Sequence, residues 1–128
     1  MKKKRQYPEQ KLQIACADYL KALEALTGSF TFHHSPNGGW RRKVTAALFK
    51  AMGTRAGFPD LIILLKGGKV LFFELKYKGG SLNENQKIFH GILKTLGFHI
   101  ETITAELPTE AVKKLAKSMR ENGIKEAQ

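Results

Sequence analysis

Residues 58–77 read FPDLIILLKGGKVLFFELKY, two apolar runs joined by Gly67 and Gly68. β-branched and aromatic residues favour strands, and a Gly-Gly pair between two such runs is typical of a β-hairpin. Both runs are apolar almost throughout, so we expect the hairpin to be covered on both faces. The sequence therefore predicts a buried hairpin at the centre of the fold.

Three charged residues interrupt this hairpin, namely Asp60, Glu74 and Lys76. Burying an isolated charge is unfavourable, so each needs a partner, a cation or exposure at a strand end. A two-residue turn would send Asp60 and Glu74 to opposite faces. A three-residue turn, or a bulge near Pro59, would place them side by side on one face. A joint site for the two carboxylates therefore requires one of these two geometries.

Two carboxylates that meet in this way repel each other unless a cation lies between them. Oxygen ligands suit Mg²⁺ or Mn²⁺, and Lys76 beside such a cation could orient a water and offset charge on a phosphate under attack. The pattern thus indicates metal-assisted phosphodiester hydrolysis. The alternative is a surface salt bridge at the open end of the hairpin, between Glu74 and Lys76 or Lys78.

The rest of the chain predicts helices and strands on either side of the hairpin. Apolar residues recur at spacings of three and four in four segments, which indicates amphipathic helices, and short aromatic or alternating runs indicate two more strands. The predicted helices cover residues 8–26, 41–52, 82–96 and 109–121, and the predicted strands cover residues 29–34 and 98–103. We therefore expect one compact α/β domain without internal repeats.

The helix after the hairpin has a clear start signal. Ser81-x-x-Glu84 is a capping box, and the predicted apolar face of the helix follows it. That face comprises Ile88, Phe89, Ile92, Leu93 and Leu96. Gln86 shares the stripe that faces the core, and Glu9 faces inward from the first helix. Each lies near the end of its element, so we add both to the candidate site, where an amide or carboxylate could contact a metal-bound water or a phosphate.

The charge of the chain favours a polyanionic partner. The sequence of 128 residues has 22 Lys and Arg against 11 Asp and Glu, and its formal net charge is +11. Removing the four cations at positions 2–5 still leaves +7. Lys and Arg that neutralise phosphates release counterions, which drives nucleic-acid binding. Arg41, Arg42 and Lys43 beside Trp40 are candidates for phosphate contacts, although they could equally form a solvated face. We add Arg55, Lys78 and Ser81 to the DNA-binding set.

Other classes of protein are disfavoured. A single cysteine, Cys16, rules out a disulfide scaffold and fits the apolar stripe of the first helix. No run approaches the ~20 apolar residues of a membrane span, so we expect no membrane association and a cytoplasmic location. The four histidines lack the spacing of a zinc site.

Pro59-Asp60, separated by thirteen residues from Glu74-Leu75-Lys76, resembles the PD-(D/E)xK nuclease signature. The wider pattern, MGTRAGFPDL at 52–61, FELK at 73–76 and GSLNENQ at 80–86, is similar to the virus-type replication-repair nuclease (VRR-NUC) family, in particular to its stand-alone phage and prophage members. The resemblance covers about residues 8–104. It implies a restriction-endonuclease-like core of order α-β-β-β-α-β, with a mixed sheet flanked by helices.

The same resemblance implies the chemistry of the site. It places a divalent metal, Mg²⁺ or Mn²⁺, on Asp60, Glu74 and the main-chain carbonyl of Leu75. It makes Lys76 the catalytic lysine, with Glu9 and Gln86 completing the site. It further implies a homodimer that acts on branched DNA in the manner of a Holliday-junction resolvase, in a bacterial or phage-infected cell.

These observations give a division of the chain and two functional hypotheses. We expect a basic disordered arm over 1–7, a nuclease core over 8–104 and a helical extension of the same domain over 105–128. The favoured function is a metal-dependent, structure-selective DNA endonuclease. The alternatives are a flap, nick or non-selective nuclease of the same family, and a basic nucleic-acid-binding module without chemistry.

Overall fold

The computed structural model describes residues 8–36 and 43–128. It contains α1 (Pro8–Thr27), β1 (Phe30–His34), α2 (Lys43–Ala51), β2 (Leu61–Leu65), β3 (Val70–Tyr77), α3 (Glu84–Thr95), β4 (His99–Ala105) and α4 (Pro108–Glu121). The predicted α/β order is therefore confirmed. The expected basic arm, together with Arg41 and Arg42, lies outside the described residues, and of Lys43 only the main-chain position at the start of α2 is described.

The hairpin has the three-residue turn that the carboxylate hypothesis requires. Its register pairs Leu61 with Phe73 and continues to Leu64 with Val70. The Leu65 N–H donates to the Lys69 carbonyl at 2.7 Å, which closes the turn. Both glycines of the turn have positive φ, a conformation that residues with a Cβ rarely adopt. One step beyond the Leu61–Phe73 pair, this register sets Asp60 opposite Glu74.

The four strands form one mixed sheet in the order β1-β2-β3-β4. β1 and β3 each pair with β2 in the antiparallel sense, whereas β4 runs parallel to β3. A parallel pair requires a long crossover, and α3 provides it. The start of β2 and the ends of β3 and β4 consequently meet at one edge of the sheet. Within the described ranges, no helix is both long and apolar enough to span a membrane.

One face of the sheet packs against α1 and α4 to form the core. Fully buried side chains from the two helices include Leu12, Cys16, Leu20, Leu115 and Met119. Cys16 is thus a core residue, as predicted, and burial raises the pKa of its thiol to about 12. The helix predicted over 109–121 is an integral part of this core, with Leu115 and Met119 facing inward as expected.

The opposite face of the sheet differs from the prediction. β3 is buried on both faces, but Leu64 of β2 is 47% exposed, so the hairpin is not fully covered on this side. α3 is also rotated relative to its predicted apolar face, because His90 and Leu93 face the sheet whereas Ile88, Ile92 and Leu96 are exposed. The rotation follows from the polar contact that His90 makes with the sheet, described below.

The capping residue of α3 also differs from the prediction. The N-cap is Asn83, and α3 begins at Glu84, so Ser81 does not cap the helix. The Gln86 N–H donates to Asn83 Oδ1 and the Asn83 N–H donates to Gln86 Oε1, each at 2.9 Å. Asn is as good an N-cap as Ser, and Gln serves the third helical position as well as Glu. The sequence therefore contains two overlapping capping boxes, and the second one forms.

α2 presents apolar side chains to solvent. The predicted stripe of this segment has exposed fractions of 80% for Val44, 57% for Leu48 and 71% for Met52. No element among the described residues covers them. An exposed apolar face of this kind is typical of an interaction site.

The loop before β2 and the start of α3 are joined by a close backbone contact, which gives the first prediction. A Cβ on Gly57 would lie 2.2 Å from the Asn85 carbonyl oxygen, and Gly57 has a φ of +85°. We expect Gly57→Ala to lower the free energy of unfolding by about 2–3 kcal/mol, because backbone atoms must move apart. The measurement is equilibrium unfolding in urea.

The matched control is Gly91→Ala in α3, where a Cβ would meet no atom within 4 Å. Alanine favours a helix interior over glycine, so this variant should gain about 0.5–1 kcal/mol. A Gly57→Ala protein as stable as the wild type would contradict the close contact.

Candidate active site

Asp60 and Glu74 meet at the edge of the sheet where β2 begins and β3 ends. Asp60 Oδ2 accepts a hydrogen bond from the Leu75 N–H at 2.7 Å, which fixes the Asp60 carboxylate against β3. Glu74 is 1% exposed, and its carboxyl group is hydrogen-bonded to that of Asp60. The two residues therefore form the joint site that the hairpin register predicts.

The electrostatics of this pair are unfavourable for two negative charges. Burial, then the hydrogen bond to Asp60 and the Asp60 charge, raise the pKa of Glu74 to about 10. Glu9 acts in the same direction and Lys76 opposes it. At neutral pH the pair thus retains a proton unless another cation replaces it.

A divalent cation fits this donor set. Two adjacent carboxyl groups, of which the buried one has a raised pKa, are suited to Mg²⁺ or Mn²⁺, which prefer oxygen ligands and retain several waters. In the described part of the chain, no three His, Cys, Asp or Glu side chains are placed to hold a metal together. Asp60 and Glu74 would accordingly need a main-chain carbonyl, waters or a substrate oxygen as further ligands.

Lys76 and Glu9 lie close to the carboxyl pair. Lys76 follows Glu74 by two residues on the same face of β3, is partly buried, and acts electrostatically on Glu74. Glu9 is in the first turn of α1, and its Oε2 accepts a hydrogen bond from the Tyr77 N–H at 3.2 Å. This contact ties the start of α1 to the end of β3 and brings Glu9 near the carboxyl pair, but Glu9 is exposed there and does not face inward as predicted.

Gln86 lines a cleft together with Asp60 and also forms the N-terminal capping box of α3. Its Oε1 is used in the capping box with Asn83, so its carbonyl oxygen is not aimed at the carboxyl pair. Gln86 and Asp60 both line a cleft at the start of α3. The amide nitrogen of Gln86 is the atom that remains for a ligand in this cleft.

Two histidines contact the carboxyl pair or its backbone, although neither is among the predicted catalytic or metal-binding residues. His90 is 4% exposed, and its Nε2 lies 3.0 Å from Glu74 Oε1. Burial lowers the pKa of His90, which favours the neutral ring. His34 Nδ1 lies 2.9 Å from the Asp60 carbonyl oxygen, to which the Ser35 N–H also donates. Spacing supplies a signal for His90, because it follows Gln86 by four residues on the inward side of α3.

The predicted DNA-binding residues among the described residues lie in different surroundings. Arg55 lines the cleft that contains Asp60, and its guanidinium lies 5.3 Å from the centre of the Phe89 ring. Lys78 is exposed beside the site, with its Nζ 3.6 Å from Glu106 Oε1. Ser81 is exposed in the loop before α3.

A mixed sheet that gathers Asp60, Glu74 and Lys76 at one edge, with α3 crossing between β3 and β4, has the arrangement of the PD-(D/E)xK nucleases. The family model of the VRR-NUC domain matches residues 4–107, and the chain belongs to this family of nuclease domains.

Solved structures agree with this assignment. A structure titled "VRR_NUC domain protein" superimposes with a TM-score of 0.62 at 26% sequence identity, covering 88% of this chain and 89% of that chain. A second structure, titled "VRR_NUC domain", has a TM-score of 0.59 at 17% identity, covers 90% of this chain and 97% of that chain, and supports the fold alone. No curated protein matches the sequence.

The raised pKa of Glu74 gives a prediction for stability. Between the ordinary pKa of 4.5 and about 10, the native state holds a proton that the unfolded chain has released. The free energy of unfolding therefore falls as pH rises through this window. We expect Glu74→Gln in EDTA to raise the melting temperature at pH 8 by roughly 3–8 °C, because the neutral amide has no proton to take up on folding and so avoids the free-energy cost of protonating Glu74. The difference should vanish near pH 4.

Thermal unfolding at several pH values, with and without Mn²⁺, measures this effect. Ligand binding stabilises only the form that binds, so Mn²⁺ should stabilise the wild type and not Glu74→Gln. The control is Glu106→Gln, which removes an exposed carboxylate that contacts Lys78. A Glu74→Gln protein less stable than the wild type at pH 8 in EDTA would contradict the electrostatic assignment.

The contact between His90 and Glu74 gives a second prediction. A histidine that orients a metal-binding carboxylate typically contributes about 10–100-fold to metal affinity. We expect His90→Leu to lose affinity for Mn²⁺ in this range, as measured by the Mn²⁺ dependence of thermal stability. His90→Gln can place an amide nitrogen near Glu74 and should lose less. If Leu preserves the affinity better than Gln, His90 acts through packing alone.

Proposed function

We propose that this protein is a Mg²⁺- or Mn²⁺-dependent endonuclease that hydrolyses phosphodiester bonds in branched DNA. The observation that carries the proposal is the carboxyl pair of Asp60 and Glu74, in which Glu74 is buried and Asp60 is partly buried, with Lys76 on the same face of β3. A protein that only binds DNA has no use for two carboxyl groups held together in this way, because their repulsion opposes both folding and the approach of phosphates.

The residues of the site divide the work by position. Asp60, Glu74 and the carbonyl of Leu75 would hold the cation, which would supply Lewis-acid activation of the nucleophile and neutralise charge on the phosphate. Lys76 orients the attacking water and offsets the charge that builds up on the phosphate oxygens. Glu9 and the amide nitrogen of Gln86 position water and phosphate. His90 and His34 hold Glu74 and the Asp60 main chain in place.

The charge of the chain supports DNA as the substrate. A formal charge of +11 gives a long-range attraction to phosphates that does not depend on base sequence. Arg55 lines the same cleft as Asp60, and Lys78 is exposed just after the end of β3, so both are accessible to a DNA strand that approaches the site. We assign backbone contacts to these two residues, to Ser81, and to Arg41, Arg42 and Lys43.

A homodimer of the stand-alone phage or prophage type, acting in the cytoplasm on Holliday junctions, is the form of this proposal that we favour. Symmetrical resolution of a junction needs two cuts, hence two active sites related by a two-fold axis. The exposed stripe of Val44, Leu48 and Met52 on α2 offers an apolar surface for the self-complementary contact of such a dimer.

Cleavage assays test the proposal. We expect the purified protein to cut four-way junctions in Mg²⁺ or Mn²⁺ and not in EDTA, with one cut in each of two opposed strands. Asp60→Asn should lower the rate by at least about 100-fold, because the amide cannot replace a carboxylate ligand. It should leave binding to the junction intact. The matched control is Asp18→Asn, an exposed aspartate of α1, which should cut like the wild type.

The outcomes separate the candidate functions. Cuts on flaps or nicked duplex in preference to junctions would retain the nuclease and reject the resolvase. A sedimentation mass of 14.3 kDa, which is that of a single chain, combined with unpaired cuts would reject the homodimer. Metal-independent binding without cleavage of any substrate would indicate a DNA-binding module.

A further inference from the structure

A groove of about 860 Å³ runs between α2 and α3 and ends at Asp60. On the α2 side it is lined by Ala46, Phe49 and Lys50, and on the α3 side by Ile88 and Ile92 among others. Of the carboxyl pair, Asp60 lies in the lining of the groove, so a ligand in the groove would lie against Asp60. We call it the α2–α3 groove.

The walls of this groove combine polar and apolar side chains, and two of the apolar ones are partly exposed. Ile88 is 55% exposed and Ile92 is 41% exposed, which reverses the expectation that these residues pack into the core. Phe89 also lines the groove, is partly buried, and packs against the Phe58 ring at 5.3 Å between ring centres. The rotation of α3 that points His90 at Glu74 thus also turns an apolar stripe towards the groove.

Two cations lie in the same walls. Lys50 is exposed on α2, and Arg55 follows α2 in the loop that leads to β2. The Arg55 guanidinium lies over the Phe89 ring at 5.3 Å, which holds it against the aromatic wall. The close contact of Gly57 with Asn85 joins this loop to the start of α3.

This combination fits an unpaired DNA strand better than a duplex. A duplex presents anionic phosphates and sugars outward and keeps its bases stacked, so it would leave Ile88 and Ile92 without partners. An unpaired strand offers both phosphates for Lys50 and Arg55 and exposed base faces for an apolar and aromatic wall. A second copy of the chain fits less well, because a two-fold contact through the groove would bring its cations face to face.

We propose that the α2–α3 groove binds unpaired nucleotides of the strand whose phosphate lies at Asp60 and Glu74. The inference rests on the proposed nuclease function and specifies its substrate. Selectivity then comes from strand separation beside the cut site, which a flap supplies permanently and a junction supplies when its central base pairs open. A linear duplex does not supply it.

The test measures binding by fluorescence anisotropy in EDTA, so that cleavage does not interfere. One DNA is a duplex with a single-stranded dT extension, and the other is the same duplex with an extension of abasic residues. Both DNAs carry the same number of phosphates, so a difference reports contacts to the bases. We expect the wild type to prefer the dT extension by about tenfold or more.

Two variants assign this preference to the groove. Ile92→Glu places a carboxylate in the wall and should abolish the preference, whereas Ile14→Glu makes the same change at a residue of α1 that is 61% exposed and should keep it. Lys50→Glu should weaken binding of both DNAs more than Lys113→Glu, a change on the exposed side of α4. Because Ile92, Lys50 and both control residues are exposed, we expect all four variants to fold like the wild type.

The results distinguish this inference from the proposed function. Equal binding of both extensions by the wild type, or a preference that survives Ile92→Glu, would overturn the groove as a base-binding site while metal-dependent cleavage stands. A change in sedimentation mass for Ile92→Glu with the preference unaltered would show that the groove is an interface between copies. Absence of cleavage on every DNA would instead reject the nuclease.

Discussion

The site depends on the repulsion between two carboxyl groups that the fold forces together. The three-residue turn of the hairpin sets its register, and the register alone places Asp60 opposite Glu74. A turn shorter by one residue would move Asp60 to the face packed by α1 and α4, where a carboxylate would lie in the apolar core. The turn and the carboxyl pair therefore act as one constraint, linked through the hairpin.

The surroundings of the pair serve to hold it in spite of that repulsion. The Leu75 N–H fixes the Asp60 carboxylate, and His90 contacts Glu74 from α3. These contacts come from β3 and α3, so they hold the two side chains in place without a ligand. The full negative charge of the pair is not retained, because Glu74 keeps a proton near neutral pH. In the proposed metal-bound form, a cation between the two carboxyl groups would relieve their repulsion, so the site would be less stable without the metal than with it.

The sequence was sufficient for the parts that follow from local patterns. The hairpin, the helices and the α/β order come from periodicity, and a joint site for Asp60 and Glu74 narrowed the hairpin to a three-residue turn or a bulge near Pro59, of which the turn forms. The rotation of α3 was not predictable in this way, since Ile88 and Ile92 form as good an apolar stripe as His90 and Leu93. The contact between His90 and the buried Glu74 determines which of these two faces of α3 packs on the sheet, and Glu74 lies sixteen residues away in sequence. The choice of Asn83 over Ser81 was similarly open, because two capping boxes overlap.

The rotation of α3 links the chemistry to recognition. Because His90 must reach Glu74, the apolar stripe of the same helix turns outward, and the loop after α2 brings Arg55 to its edge. α2 contributes in turn to two surfaces: Phe49 and Lys50 line the groove, while Val44 and Leu48 lie on the opposite side of the helix. In the proposed dimer, α2 would separate the bound strand from the partner copy. A shift of α2 at the dimer contact would then move one wall of the groove, so that dimer geometry and strand binding would be coupled through a single short helix.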